Sequence, residues 1–87
     1  MQAQKTFRGT WKGRAGESTD YLKTSDKLGP RVIVHRWTDT NEVSVRAVTG
    51  DAFKGKKPFS EFAKVELKAP TTPELEQAIA QCERALP

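Results

Sequence analysis

Positions 71–86 read Thr-Thr-Pro-Glu-Leu-Glu-Gln-Ala-Ile-Ala-Gln-Cys-Glu-Arg-Ala-Leu, and this stretch decides the fold. Its apolar residues recur at intervals of three and four, which places them along one stripe of an α-helix: Leu75, Ala78, Ile79, Cys82 and Leu86. A helix this short is marginal alone in water, so the stripe predicts packing on a surface that the rest of the chain supplies. A helix that presents the stripe to another protein is the alternative.

Two registers are open for the start of this helix. Pro73 suits the first helical position, where its missing N–H costs nothing, which makes Thr72 the N-cap and predicts a helix over residues 73–86. In the other register Thr71 is the N-cap and Glu74 completes a capping box. In both registers Arg84 lies in the last turn, where the helix dipole favours a positive charge.

The residues before the helix show strand patterns separated by turns. Residues 31–38 carry apolar side chains on both faces, which is typical of a central strand, and they form a predicted β-hairpin with residues 42–49. Residues 13–18 are predicted to form a turn or short loop, and residues 50–58 a flexible basic loop. We predict strands at residues 5–12, 31–38, 42–49 and 59–68, with a short additional strand at residues 20–23.

Together these elements predict a single α+β domain over residues 1–87. It consists of a small antiparallel sheet of four or five short strands, with one C-terminal helix packed on one face. The 87 residues leave no room for a second core. Because one helix cannot cover both faces of a sheet, the other face is either solvated or used for binding.

Composition limits the classes of protein that remain. No window approaches the roughly 20 apolar residues of a membrane span, so we expect no membrane contact. The first residues contain no apolar segment of a signal peptide, so we expect a cytoplasmic protein. Cys82 is the sole cysteine, which excludes an intrachain disulfide, and its place on the helix stripe favours a buried structural thiol.

Charge is distributed unevenly along the chain. The net charge is +4, but residues 1–69 carry +6 and residues 70–87 carry −2. The predicted sheet is therefore the basic part of the molecule. Such an asymmetry is typical of a protein with an anionic partner.

Basic and aromatic residues in the predicted sheet and loop form the candidate binding site. Nucleic-acid surfaces combine Lys and Arg for the phosphates with aromatic rings on which bases stack. Ordinary solvent-facing charges that keep sheet edges from aggregating are the alternative interpretation. The candidate nucleic-acid-binding residues are Arg8, Lys12, Arg14, Arg36, Trp37, Arg46, Lys54, Lys56 and Lys57.

No catalytic, metal or cofactor site is predicted. His35 is the sole histidine, and no partner for it can be placed from spacing alone, so it is interpreted as a structural strand residue. One His and one Cys with scattered carboxylates give no metal-ligand pattern. Trp11 and Trp37 are interpreted as core residues unless one of them is exposed, in which case it marks a binding site.

The leading hypothesis is a small non-catalytic module that binds nucleic acid through a basic β-sheet face and the Lys-rich loop. The alternative is a protein–protein interaction module, such as a phage or mobile-element accessory or inhibitor protein that docks on a larger host protein. A homodimer formed through a sheet edge belongs to this alternative. An exposed aromatic patch would favour it.

Overall fold

Five strands followed by one helix make up the described chain. A computed structural model describes the backbone of residues 2–51 and 56–87, and the side chains of residues 6–51 and 60–87. The strands are β1 (Gln2–Trp11), β2 (Arg14–Leu22), β3 (Arg31–Trp37), β4 (Glu42–Asp51) and β5 (Lys56–Lys68), and the helix is α1 (Thr72–Ala85). The strands form one open sheet in the order β1-β2-β3-β4-β5, and every neighbouring pair is antiparallel. The predicted α+β class is confirmed.

Strand β2 is longer than the sequence indicated. Lys12 and Gly13 have φ angles of 52° and 77°, so they reverse the chain in two residues and Arg14 pairs at once with Trp11. Two consecutive positive φ angles are typical of a type I′ hairpin turn. The prediction of a loop over residues 13–18 and a strand only at residues 20–23 was therefore wrong.

The second basic segment also contains more strand than predicted. β4 continues to Asp51 and β5 begins at Lys56, so the predicted flexible loop over residues 50–58 was wrong at both ends. Lys56 and Lys57 belong to β5, whereas the predicted site residue Lys54 lies outside the described residues. The pairing of β4 with β5 shifts register between Ala47 and Val48. These two neighbours pair with Ala63 and Glu61, so the extra residue of this bulge lies on β5.

The core lies between α1 and the central strands. α1 contacts β3, β4 and β5, and four valines of β3 and β4 are buried beneath it: Val32, Val34, Val43 and Val45. The Cys82 thiol donates a hydrogen bond to the Val45 carbonyl oxygen at 3.5 Å, and burial raises the pKa of this thiol. Cys82 is buried in the core, which agrees with its predicted role as a structural thiol. The buried cluster under α1 consists of Val32, Val34, Val43, Val45, Ala47, Ala78, Cys82 and Leu86.

The helix starts one residue earlier than the preferred register. Thr71 is the N-cap: its hydroxyl accepts a hydrogen bond from the Glu74 backbone N–H at 3.3 Å, and the Glu74 carboxylate accepts one from the Thr71 N–H at 2.9 Å. The capping-box register is thus the correct one, and the N-cap prediction for Thr72 was wrong. The reciprocal pair satisfies two backbone donors, whereas Thr72 as the cap would satisfy one.

Replacing the cap should separate the two registers by stability. We expect Thr71→Ala to lower the free energy of unfolding by about 1 kcal/mol, because the Glu74 N–H loses its acceptor. Thr72→Ala is the matched control, and we expect it to change stability by less than about 0.5 kcal/mol. Urea unfolding followed by circular dichroism measures both. Equal losses in the two variants would contradict the assignment of Thr71 as the cap.

Candidate functional site

Strand pairing assigns each side chain to one of the two faces of the sheet. Directly opposed residues of neighbouring strands share a face. Val34 lies opposite Val45 beneath the helix, so the next residue in each strand points away from it. The face away from α1 carries Ser18, His35 and Ser44 in one row of opposed residues, and we call it the open face.

A groove with a volume of about 400 Å³ lies on the open face. It crosses β1 to β4, so the side chains that line it come from four strands and one turn. Its lining combines aromatic, small polar and basic residues. These residues are Trp11, Lys12, Ser18, Ile33, His35, Trp37, Ser44 and Arg46.

Three aromatic rings form a row along the groove. The His35 ring lies between the two indoles, with its centroid 4.7 Å from that of Trp11 and 4.3 Å from that of Trp37. The interplanar angles are 85° and 70°, so both contacts are edge-to-face. This arrangement is a favourable geometry for aromatic pairs. The two indoles are half-buried and not part of the core under the helix, so the interpretation of Trp11 and Trp37 as core residues was wrong.

Two glycines lie beneath the aromatic row. Gly9 and Gly16 are directly opposed on β1 and β2, and Gly16 is also opposed to Trp37 on β3. A Cβ at Gly16 would lie 2.9 Å from both the Arg36 carbonyl oxygen and the Nε2 of His35. The imidazole therefore packs directly on the backbone of β2, in the space that the side chain of any residue other than glycine would occupy at position 16.

Arg14, the first residue of β2, contacts Trp37. Its guanidinium carbon lies 4.4 Å from the centroid of the Trp37 ring, which is a cation–π contact. The same guanidinium donates two hydrogen bonds to the Asp39 carboxylate, at 3.0 and 2.9 Å. This hydrogen bonding raises the pKa of Arg14 and lowers the pKa of Asp39. Arg14 thus contacts a carboxylate and an indole, and the Asp39 carboxylate largely neutralises its charge.

Two polar atoms at the groove have no hydrogen-bond partner among the described residues: Ser18 Oγ and His35 Nε2. The Ser18 side chain is 0 % exposed. Burial lowers the pKa of His35, and the nearby charge of Arg14 lowers it further, so the imidazole is neutral at pH 7. A buried hydroxyl without a partner costs roughly 1–3 kcal/mol, which is a reason to ask what it binds.

The structure brings four of the predicted site residues together. Lys12, Arg14, Trp37 and Arg46 lie at or beside the groove. Arg46 also donates a hydrogen bond to Glu61, whereas Lys12 is exposed and forms no ion pair with any described carboxylate. Lys12 is therefore the cation at the groove that is best placed to meet an anion from solution.

Two other predicted site residues lie on the side of the sheet that carries α1. One row of directly opposed residues crosses four strands and consists of Arg8, Glu17, Arg36 and Val43. Val43 belongs to the core under the helix, so the whole row lies on that side of the sheet. Arg8 donates a hydrogen bond to Glu17 at 3.1 Å. The side chains of Lys56 and Lys57 belong to the part of the chain whose side chains are not described.

Trp11, Ser18 and His35 line the groove without having been predicted as site residues. The predicted strand at residues 5–12 places Trp11 on one of its two faces, but the pattern does not reveal which face the helix covers. Ser18 was assigned to a loop, so no pattern connected it with His35.

The chain matches no protein-family model, no curated protein and no solved structure. Within the described residues, no group of three His, Cys, Asp or Glu is placed to hold a metal ion. No described helix is long and apolar enough to cross a membrane. The interactions that the groove offers are stacking on aromatic rings, hydrogen bonding to a small hydroxyl and contact with a cation.

Proposed function

We propose that this chain is a non-catalytic module that binds nucleic acid through the open face of its sheet. The observation that carries the proposal is the groove, where two indoles and an imidazole lie in one row beside Lys12. Aromatic rings on a sheet surface stack with bases, and Lys or Arg beside them contacts the phosphates. The charge of +6 on residues 1–69 supplies the long-range attraction.

Fluorescence anisotropy with labelled single-stranded and double-stranded oligonucleotides tests the proposal. Because the attraction is mainly electrostatic, we expect the affinity to fall as salt rises from about 50 to 200 mM, with a slope of about −0.7 to −0.9 per phosphate contact. Non-specific binding of nucleic acid has a Kd of about 10⁻⁴ to 10⁻⁶ M at physiological salt. No binding of either oligonucleotide at about 100 μM protein and low salt would reject the proposal.

Lys12→Asn should separate binding from stability. Asn tolerates the positive φ at this turn position better than Lys does, so we expect the free energy of unfolding to rise by about 0.5–1 kcal/mol. The same change removes the cation at the groove, so affinity should fall several-fold and the salt slope should decrease by about 1. Thermal unfolding and anisotropy measure the two effects on one preparation.

Arg8→Gln is the matched control for Lys12→Asn. Both variants lose one positive charge from the same hairpin, but Arg8 lies on the side of the sheet away from the groove. We expect Arg8→Gln to weaken binding much less than Lys12→Asn does. If the two variants weaken binding equally, net charge rather than the groove determines affinity.

A second candidate function is protein–protein interaction through the edge of the sheet. β1 is an edge strand, and Phe7 on it is 45 % exposed. An exposed edge strand with an aromatic side chain offers backbone hydrogen bonds and an apolar contact to another chain. Light scattering coupled to size-exclusion chromatography tests the homodimer, the simplest case. A dimer that Phe7→Lys converts to a monomer would support this candidate.

A further inference from the structure

The size and lining of the groove favour a small planar ligand. Its volume of about 400 Å³ is near the lower end of the range for small-molecule pockets, about 300–1,000 Å³. Ile33, Ser18 and Ser44 contribute small or aliphatic side chains, whereas Trp11 and Trp37 contribute indoles on either side of His35. A flat aromatic heterocycle can stack in such a space. The paired bases of a duplex cannot, because their faces are already stacked on one another.

A polar edge on the ligand would satisfy the hydroxyl of Ser18. This side chain lines the groove, is 0 % exposed and has no hydrogen-bond partner among the described residues. Filling the groove with a purely apolar group would leave the hydroxyl unsatisfied. Nucleobases carry donors and acceptors around their rings, so they combine the flat face and the polar edge that this lining requires.

The position of the cations fits a base that is attached to a phosphate. Lys12 and Arg46 line the same groove as the aromatic row, so a base held among the rings leaves its phosphate within the reach of a cation. Arg46 is held by Glu61, and Lys12 has no described carboxylate partner. Lys12 is therefore the residue to which we assign the phosphate contact.

We propose that the groove holds one unpaired nucleobase of a single-stranded nucleic acid, stacked on Trp11 with its polar edge at Ser18. The inference rests on the proposed nucleic-acid binding and adds to it the form of the ligand. It assigns roles to two residues, Trp11 and Ser18, that carry no charge. Phosphate contacts alone do not require either of them.

The test compares probes with equal numbers of phosphates. Anisotropy is measured with a single strand of about six thymidines, with a strand of equal length built from abasic deoxyribose phosphates, and with a duplex. Stacking on aromatic side chains predicts that the thymidine strand binds roughly 5- to 100-fold more tightly than the abasic strand, and more tightly than the duplex. Free thymidine monophosphate, used as a competitor, shows whether a single nucleotide suffices. Competition at concentrations like those of the strand would reassign the groove to free nucleotides and overturn the inference.

The outcomes for the inference and for the proposed function differ. Equal affinity for the thymidine strand, the abasic strand and the duplex would overturn the inference and leave electrostatic nucleic-acid binding intact. Absence of binding by all three probes would overturn both. Tighter binding of the thymidine strand, with quenching of 2-aminopurine fluorescence when that base replaces a thymine, would support the inference.

Two variants test the assigned residues. Trp11→Ala should remove most of the preference for the thymidine strand over the abasic strand, whereas Phe62→Ala, an aromatic residue that is 42 % exposed and outside the groove, should preserve it. Ser18→Ala removes the hydroxyl with little change in volume, so it should fold at least as stably as the parent. We expect it to bind the thymidine strand several-fold more weakly. Unchanged affinity in Ser18→Ala would overturn the role of the hydroxyl, even if Trp11→Ala failed to fold.

Discussion

Replacing Gly16 by alanine is expected to destabilise the fold by about 1–3 kcal/mol and to abolish stacking in the groove. The added methyl would lie 2.9 Å from the Arg36 carbonyl oxygen and 2.9 Å from the Nε2 of His35. The carbonyl oxygen belongs to the neighbouring strand and cannot move away without disturbing the pairing of β2 with β3. His35 would then be pushed from its place between the two indoles. Chemical denaturation and anisotropy with the thymidine strand measure the two consequences.

Gly9→Ala is the matched control for Gly16→Ala. Gly9 is the residue directly opposite Gly16 on β1, so the two variants add the same methyl to neighbouring strands on one face. A Cβ at Gly9 would lie 3.6 Å from the Cη2 of Trp11, which is ordinary van der Waals contact. We therefore expect Gly9→Ala to retain stability and binding. If both variants are equally tolerated, the close packing of His35 on β2 is not what shapes the groove.

The fold class could be predicted from the sequence because its signals are local. The apolar stripe of α1 depends on spacing within one element, and the hairpin of β3 and β4 depends on two strand patterns that are adjacent in the sequence. The first part of strand β2 was missed because Gly13 and Gly16 look alike in a sequence. Gly13 is in a turn with a positive φ, whereas Gly16 is in a strand where a ring from the next strand takes the space of a side chain. Only the pairing partner distinguishes the two glycines.

The candidate site could be predicted less completely, because a face of a sheet is a property of several strands. Arg8 and Lys12 are four positions apart, which places both on one face of a regular strand. The left-handed turn begins at Lys12 and directs it to the groove instead, while Arg8 stays opposite Glu17 on the side that carries α1. Arg36 lies in the same row of opposed residues as Arg8, so it is on the same side of the sheet. Register across the sheet, which no single segment contains, decides these placements.

Arg31 joins three parts of the chain at the end of the sheet away from the β1–β2 turn. Its side chain is 2 % exposed, and its guanidinium donates hydrogen bonds to the Gly29 carbonyl oxygen at 3.1 Å and the Gly50 carbonyl oxygen at 2.7 Å. The Gly50 N–H in turn donates to the Leu28 carbonyl oxygen at 2.7 Å. The β2–β3 connection is thus tied to the end of β4 through one buried cation.

Asp20 makes the contribution of Arg31 depend on pH. Burial raises the pKa of Asp20, and the charge of Arg31 opposes this rise. A carboxyl whose pKa is higher in the folded state weakens folding once it ionises; the penalty is absent below the unfolded pKa and complete above the folded pKa. Removing the cation raises the folded pKa of Asp20 further, so the penalty becomes larger at neutral pH. It still disappears once the pH falls below the unfolded pKa.

Arg31→Met is accordingly expected to lower the free energy of unfolding by about 2–4 kcal/mol at pH 7, because two carbonyl oxygens lose a charged donor in a buried place. The loss should be smaller near pH 3, below the ordinary pKa of an aspartate, where Asp20 is largely protonated in both states. Arg8→Met is the matched control: its ion pair with Glu17 is exposed, so we expect a loss below about 1 kcal/mol. Urea unfolding of both variants at the two pH values measures these differences. If Arg31→Met loses no more free energy of unfolding than Arg8→Met does, the β2–β3 connection is held by its own turns and not by the arginine. If the loss in Arg31→Met does not change with pH, Asp20 is not part of the explanation.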